Sequence, residues 1–223
     1  MSIAASSERP DAAVLPPGGP AIDPLRLEIL PGAIDGPLRF PAIFGRVAPV
    51  EMEIGVGKGR FLLDAATRHP ETDFLGLEWS VKHLRIARDR AAARGLRNLR
   101  LHRGDARHVL ASLVADGALE RVHVFCPDPW PKKRHHKRRL FVPETTRHLE
   151  RVLRPGGYLN VSTDYAEYFE AIVEVVGAVT GLARAEDPRL PADGETAGRT
   201  NYEVKYLAAG RAIHRATWRR PAE

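Results

Sequence analysis

Four carboxylates stand at or near the ends of successive short apolar runs: Glu53, Glu78, Asp105 and Asp128. Asp128 leads directly into a cationic stretch, Lys132 to Arg139. Carboxylates so placed accept hydrogen bonds from paired hydroxyls and offset positive charge on a ligand. A dense cationic run contacts a polyanion. Glu53 opens the turn Gly55-Val56-Gly57-Lys58-Gly59. Backbone can approach a ligand closely there, because no Cβ intervenes. A dinucleotide-binding G-x-G-x-x-G starting at Gly55 needs glycine where the chain has Arg60, and the P-loop pattern is absent. Lys58 and Arg60 read as helix-face charges.

The chain has 223 residues, 43% hydrophobic and 28% charged, enough to bury a substantial core. Its 34 Lys and Arg outnumber 28 Asp and Glu, a formal +6. Lys132–Arg139 holds six of those basic residues, so the remainder is formally neutral. The reading is a single cationic loop on an otherwise balanced protein. Cys126 is the one cysteine, which excludes an internal disulfide and a Cys-pair metal site. It reads as a buried strand residue, not a nucleophile. His135 and His136 lack partners at ligand spacing, so no metal is expected. No stretch reaches the apolar length that crosses a bilayer, and no leader pattern opens the chain. The expectation is a cytoplasmic protein with no obligate protein partner.

To position these residues the chain needs alternating strands and helices. Strands are predicted at Val50–Ile54, Asp73–Glu78, Leu99–His102, Val122–Cys126 and Tyr158–Ser162. Helices are predicted over about Arg60–Arg68, Lys82–Arg94 (stopped by Gly95), His108–Val114, Pro143–Leu153 and Ala166–Val179. Pro155-Gly156-Gly157 reads as a turn, Leu190 to Arg199 as a loop, and Val204–Leu207 with Ile213–Trp218 as closing strands. Residues 1 to about 35 read as a tail with little independent structure, and 36–223 as one domain. The class is α/β: a Rossmann-like, mostly parallel, doubly wound sheet with an antiparallel C-terminal hairpin strand. Ligands of such sheets sit beyond the carboxyl ends of the strands, at the switch in strand order.

E-x-G-x-G-x-G, Glu53 to Gly59, resembles the first motif of class I S-adenosylmethionine methyltransferases. Phe125 to Arg139 reads F-x-P-D-P-W-x-K-x-R-H-x-K-R-R, which resembles the signature of the bacterial tRNA (guanine-N7)-methyltransferase family. Leu-Gly-Leu-Glu ending at Glu78, Gly104-Asp105-Ala106, Ser162-Thr163-Asp164 and Thr200-Asn201-Tyr202-Glu203 are similar as well. The resemblance spans roughly residues 50 to 220. It implies methylation of guanine 46 in the tRNA variable loop, with S-adenosylmethionine as donor and S-adenosylhomocysteine as product.

It further implies that Glu53, Gly55, Gly57, Glu78, Asp105 and Asp128 lie at the cofactor, Asp128 being the catalytic acid. Lys132, Asp164, Thr200, Asn201, Tyr202 and Glu203 would hold the guanosine. Arg134, His135, His136, Lys137, Arg138 and Arg139 would meet RNA. The sequence departs at Asn201, where related chains carry Lys, and its N-terminal tail has no basic cluster, so no RNA contact is assigned there.

The chemistry constrains the acids. Guanine N7 carries an in-plane lone pair and no proton, so no general base is needed. Positive charge passes from sulfur to the guanine ring, and carboxylates accepting from N1–H and N2–H gain from it. Asp128 and Asp164 are therefore expected to orient the base and stabilise its cationic product. Tyr202 reads equally as a stacking platform or a half-buried strand aromatic, and Trp130 as a loop anchor. Two alternatives stay open: methylation of an exocyclic base amine, and a non-catalytic RNA-binding protein on this scaffold. A nicotinamide-dependent enzyme ranks below both because of Arg60.

Overall fold

The computed structural model describes residues 27–29, 36–190 and 199–222. Eight strands form one sheet: β1 (Glu28–Ile29), β2 (Val50–Ile54), β3 (Asp73–Leu77), β4 (Leu99–His102), β5 (Leu119–Phe125), β6 (Leu153–Thr163), β7 (Ala183–Arg184) and β8 (His214–Arg219). Their order is β1-β4-β3-β2-β5-β6-β8-β7. Every pairing from β1 to β6 is parallel, and β8 runs antiparallel to both β6 and β7. The chain winds outward from β2 through β3 to β4, then returns to place β5 on its other side. The carboxyl ends of β2 and β5 therefore adjoin at the switch point.

The helices are α1 (Phe40–Phe44), α2 (Arg60–Arg68), α3 (Val81–Ala93), α4 (Ala106–His108, continued by a π-helical turn to Leu113), α5 (Pro143–Val152), α6 (Ala166–Val179) and α7 (Asn201–Ala208). Strand alternation sends Met52, Ile54, Val122, Val124, Leu159 and Val161 to one face, where they pack with Leu149, Val152, Ile172 and Val176 of α5 and α6. The other face carries Phe74, Leu99 and Leu101 against Leu62, Leu63, Leu84 and Ala87 of α2 and α3. Gly76 lies on that second face because a Cβ there would come within 2.6 Å of Leu62 and Val56. None of the helices among the described residues is long and apolar enough to cross a membrane.

Toward β6 and β8 the second face turns polar. Buried Arg121 donates to Glu51 (3.0 Å) and Asp187 (2.9 Å), and His123 Nε2 lies 3.1 Å from Glu51 Oε2. Asn160 Nδ2 donates to Asp187 (2.8 Å), and Arg189 pairs with Glu51. The segment after β7 is thus fastened across the sheet by charge. Burial alone would raise the Glu51 carboxyl, but the hydrogen bond and charge of His123 and the charges of Arg121 and Arg189 hold it at about 2.

The structure corrects four expectations. Val204–Leu207 belongs to a helix, not a strand: Thr200 Oγ1 accepts from Glu203 N (3.1 Å) and Glu203 Oε2 accepts from Thr200 N (2.9 Å). This reciprocal cap starts α7 and overrides the β-branched composition. The hairpin partner of β8 is consequently Ala183–Arg184. Pro155-Gly156-Gly157 is no turn between elements but a bulge inside β6, where the register jumps from Leu119↔Leu153 to Arg121↔Tyr158. The boundary of the N-terminal tail also moves. Leu27 is fully buried, Glu28–Ile29 pair with β4, and Glu28 meets Arg88 at 2.8 Å. The β4 edge offers backbone groups that this short strand satisfies. The rest of the expected tail, and residues 191–198 of the expected loop, lie outside the described residues. The fourth correction, at Arg139, concerns the site.

Candidate active site

Beyond β2 the chain turns through Gly55, Gly57 and Gly59, all left-handed. Gly59 caps α2 at φ 80°, with a would-be Cβ only 2.6 Å from Leu63 Cδ1, so no other residue fits. At Gly55 and Gly57 the same construction meets nothing within 4 Å. The turn is therefore packed on its helix side and open on its other. Glu78 fastens it: Oε2 accepts from Gly57 N and Oε1 from Ser80 N, each at 2.7 Å. A carboxylate oxygen has a second lone pair, so both oxygens can still accept from a ligand's hydroxyls.

Glu53 lies beneath this turn, 1% exposed. It accepts a hydrogen bond from Leu62 N–H, while its Oε2 has no partner. Burial, then the charges of Glu203 and Glu78, push its carboxyl well above the usual carboxylate range. A buried oxygen with no donor among several carboxylates costs the free protein stability and favours a cation beside it. With the open glycine cradle, this matches a ligand whose positive portion meets Glu53 and whose hydroxyls meet Glu78. Asp105 sits at the end of β4, exposed, its side chain accepting from Arg107 N (2.9 Å) as the cap of α4.

The exit of β5 is bent twice. Cys126 (φ 50°) and Trp130 (φ 43°) are the non-glycine residues with positive φ among those described, and they bracket Pro127-Asp128-Pro129. The bends add to the stiffness of the prolines and hold Asp128 exposed at the carboxyl edge. Cys126 N donates to Ser162 O (2.7 Å). Its thiol is pushed up to about 12 by burial and by the charges of Glu203 and Asp164.

The cationic stretch folds into a 3-10 turn, Lys133–Arg138. Arg138 lies over the Trp130 ring at 4.9 Å, with His135 edge-on at 5.8 Å. Arg107 Nη2 donates to Lys137 O (2.9 Å) and holds the turn from α4. Lys132, Lys133, Arg134, Lys137 and Arg138 are exposed, whereas His136 Nε2 is buried without a partner. Arg139 is the correction. It is 6% exposed, donates to Pro129 O (2.8 Å), meets Glu167 and stacks on Tyr168 at 4.6 Å. This arginine props the Pro-Asp-Pro segment from behind instead of facing RNA.

Asp164, following β6, pairs with Arg211 at 3.0 Å. Arg211 in turn covers the Tyr206 ring at 4.6 Å, and Tyr202 and Tyr206 stand 6.2 Å apart on one face of α7. Tyr202 stands in the first turn of α7 and is 49% exposed, so it is not a strand residue. Burial and then the Asp164 charge raise the Tyr206 phenol. Glu203 turns inward and meets Arg215 (3.5 Å) and Arg199 (3.9 Å); Asn201 is exposed.

Glu53, Glu78, Glu203, Cys126 and Asp164 are thus linked by charge in one acidic cluster, with Asp105, Asp128 and Lys132 following the carboxyl ends of neighbouring strands. Sequence reasoning missed Arg211 and Tyr206. Tyr206 follows Tyr202 by four residues, a signal that only a helical reading of 201–208 brings out. No cluster able to hold a metal occurs among the described residues.

Residues 47–216 match a protein-family model described as "Putative methyltransferase". A tRNA (guanine-N(7)-)-methyltransferase of Alkalilimnicola ehrlichii is 41% identical over 180 residues, covering 79% of this chain and 75% of the relative. One from Cutibacterium acnes is 40% identical over 192 residues, covering 83% and 68%. Among solved structures, the 16S rRNA (adenine(1408)-N(1))-methyltransferase of Catenulisporales acidiphilia with its cosubstrate SAM superposes with a TM-score of 0.55 at 20% identity, over 80% of this chain and 88% of that one. That likeness establishes a shared methyltransferase fold.

Proposed function

The chain belongs to the tRNA (guanine-N(7)-)-methyltransferase family, and from that premise we propose that it methylates N7 of guanine 46 in the tRNA variable loop. The donor is S-adenosylmethionine, which supplies a methyl group on a cationic sulfur. The observation that carries this reading is the unpartnered Glu53 oxygen buried beneath an open glycine cradle. Glu53 offsets the donor's positive portion, Gly55 and Gly57 give its backbone approach, Glu78 accepts from the ribose hydroxyls, and Asp105 meets the adenine end.

Asp128 and Asp164 accept from the guanine N1–H and N2–H edge. They fix the base so that N7 faces the methyl group, and they stabilise the positive charge that arrives on the ring. No proton needs to leave N7, so neither acts as a base. Thr200 and Glu203 hold the first turn of α7 against the pocket, and exposed Tyr202 stacks on the extruded base. Lys132 and Asn201 reach the nucleotide. Arg134, His135, Lys137 and Arg138 bind backbone phosphates, giving affinity with little sequence information. With tRNA as substrate the reaction takes place in the cytoplasm and requires no further protein.

The test is incubation with labelled donor and unmodified tRNA, followed by chemical cleavage at N7-methylguanine. Cleavage at the variable loop, abolished by replacing guanine 46, is the expected result. Label on an exocyclic amine, or no label at all, overturns the proposal. Asp128→Asn under single-turnover saturation should slow the chemical step by roughly 100-fold, the scale of removing one electrostatic partner from a transition state. An unchanged rate removes Asp128 from the chemistry.

A further inference from the structure

Lys132–Arg139 is not the chain's one concentration of positive charge. Between Val81 and Arg107 stand nine Lys and Arg against two Asp, an excess of seven that acids elsewhere cancel in the total. The formal neutrality of the chain outside the loop hides this second block.

Its cations face solvent. Lys82, Arg85 and Arg90 lie on the exposed side of α3, and Arg97 and Arg103 follow it, also exposed. Among the described residues no carboxylate lies within ion-pair distance of these five. Asp89, the one acid on α3, is neutralised at 2.8 Å by Arg88, which is half-buried and also engages Glu28. Asp105 is turned to its own helix cap. A solvated helix face ordinarily interleaves both signs, and like charges at helix spacing repel. This face lacks the acids that would make it such a surface.

Position adds a second argument. α3 starts three residues after Glu78, beside the glycine cradle. Trp79 there is 68% exposed, and the Arg103 guanidinium lies 5.7 Å over its ring. Four residues past Arg103, Arg107 holds the backbone of the cationic turn at 2.9 Å. The two basic surfaces are therefore joined through α4, and α3 begins beside the glycine cradle.

We propose that the exposed face of α3, with Arg97 and the Trp79–Arg103 pair, is a second docking surface for the sugar-phosphate backbone of the same tRNA, at nucleotides outside the variable loop. Guanidinium groups on a rigid helix suit phosphate contacts that set orientation. The proposal rests on tRNA being the substrate.

The decisive variant is Lys82→Gln/Arg85→Gln/Arg97→Gln, three exposed positions with no side-chain contact to the glycine cradle. Its affinity for unmodified tRNA is measured by fluorescence anisotropy across a salt series, beside a Lys133→Gln/Lys137→Gln control in the loop. The triple variant should bind roughly 10-fold or more weakly near physiological salt. Its slope of log affinity against log salt should fall by about 2–3, because each phosphate no longer neutralised lowers it by about 0.7–0.9. Donor binding by calorimetry and the rate at saturating tRNA should stay at wild-type values. Hydroxyl-radical footprinting should show that protection outside the variable loop disappears while protection within it persists. Unchanged affinity and slope in the triple variant, with a lowered slope in the loop control, overturn the second surface alone. Wild-type protein that neither binds nor methylates tRNA overturns the parent reading instead.

Discussion

Arg211 Nη2 stands 3.0 Å from Asp164 Oδ2, so the carboxylate assigned to the guanine edge already has a cation partner in the free protein. Arg211 is 55% exposed, and pairs of that exposure contribute about 0–1 kcal/mol. Substrate can therefore displace the arginine at little cost. Arg211→Gln should leave Tm within roughly 4 °C of wild type, given about 2–4 °C per kcal/mol at this size. Asp164→Asn removes a charged acceptor and should lower kcat/KM for tRNA by about 10- to 100-fold. Equal, small effects of the two substitutions would take Asp164 out of the guanine pocket.

Glu53→Gln should stabilise the free protein while weakening donor binding. Burial and the neighbouring Glu203 and Glu78 charges raise the Glu53 carboxyl. The folded state thus binds its proton more tightly than the unfolded chain. That contribution is complete below the unfolded value and is lost as pH rises through the folded one. At pH above the folded value, the ionised side chain is a burden that glutamine removes, by about 1 kcal/mol or more, or roughly 2–4 °C in Tm. Calorimetry should show S-adenosylmethionine binding weakened by about 10- to 100-fold, because the charged contact is gone. A less stable variant that binds the donor normally would mean Glu53 serves packing alone.

The sequence displayed most of the fold because its signals are local. Val50–Ile54, Arg60–Arg68 and Leu99–His102 form as their periodicity indicates. What escaped was set by rival local signals or by distant partners. Thr200 and Glu203 spell a capping box that outweighs the strand-like Val204. Arg139 looks like one more cation in a run, yet Glu167 and Tyr168, far along the chain, draw it inward. The pairing of Glu51 with Arg189 joins β2 to the segment after β7 and has no sequence signature. At the site, residue types and strand-end positions were readable, whereas the Asp164–Arg211 pair depends on how α7 and β8 fold back.

Cys126 should be chemically quiet. Burial and the Glu203 and Asp164 charges lift its thiol to about 12, so almost no thiolate exists at neutral pH. Alkylation by iodoacetamide at pH 7.5 should be at least 10-fold slower than for a free thiol of ordinary acidity. Cys126→Ala should keep kcat within about threefold of wild type, provided the strained φ of 50° is retained. Fast alkylation with loss of activity would place a thiolate in the mechanism.

The buried network on the second sheet face makes a prediction about acid. Glu51 is held at about 2 despite burial, by His123, Arg121 and Arg189. Its carboxyl is depressed, so its contribution to folding is complete above the ordinary value of 4.5 and drains away as pH falls toward about 2. Glu51→Gln leaves Arg121 with a buried partner missing and should cost about 3–5 kcal/mol at neutral pH. Between pH 5 and 2.5 the variant should lose less stability than wild type, because the group that titrates there is absent. Denaturant unfolding of both proteins across that range isolates the difference, since every other acid is common to the pair. Curves that stay parallel down to pH 2.5 would show that Glu51 is not the charge fastening the segment after β7 to the sheet.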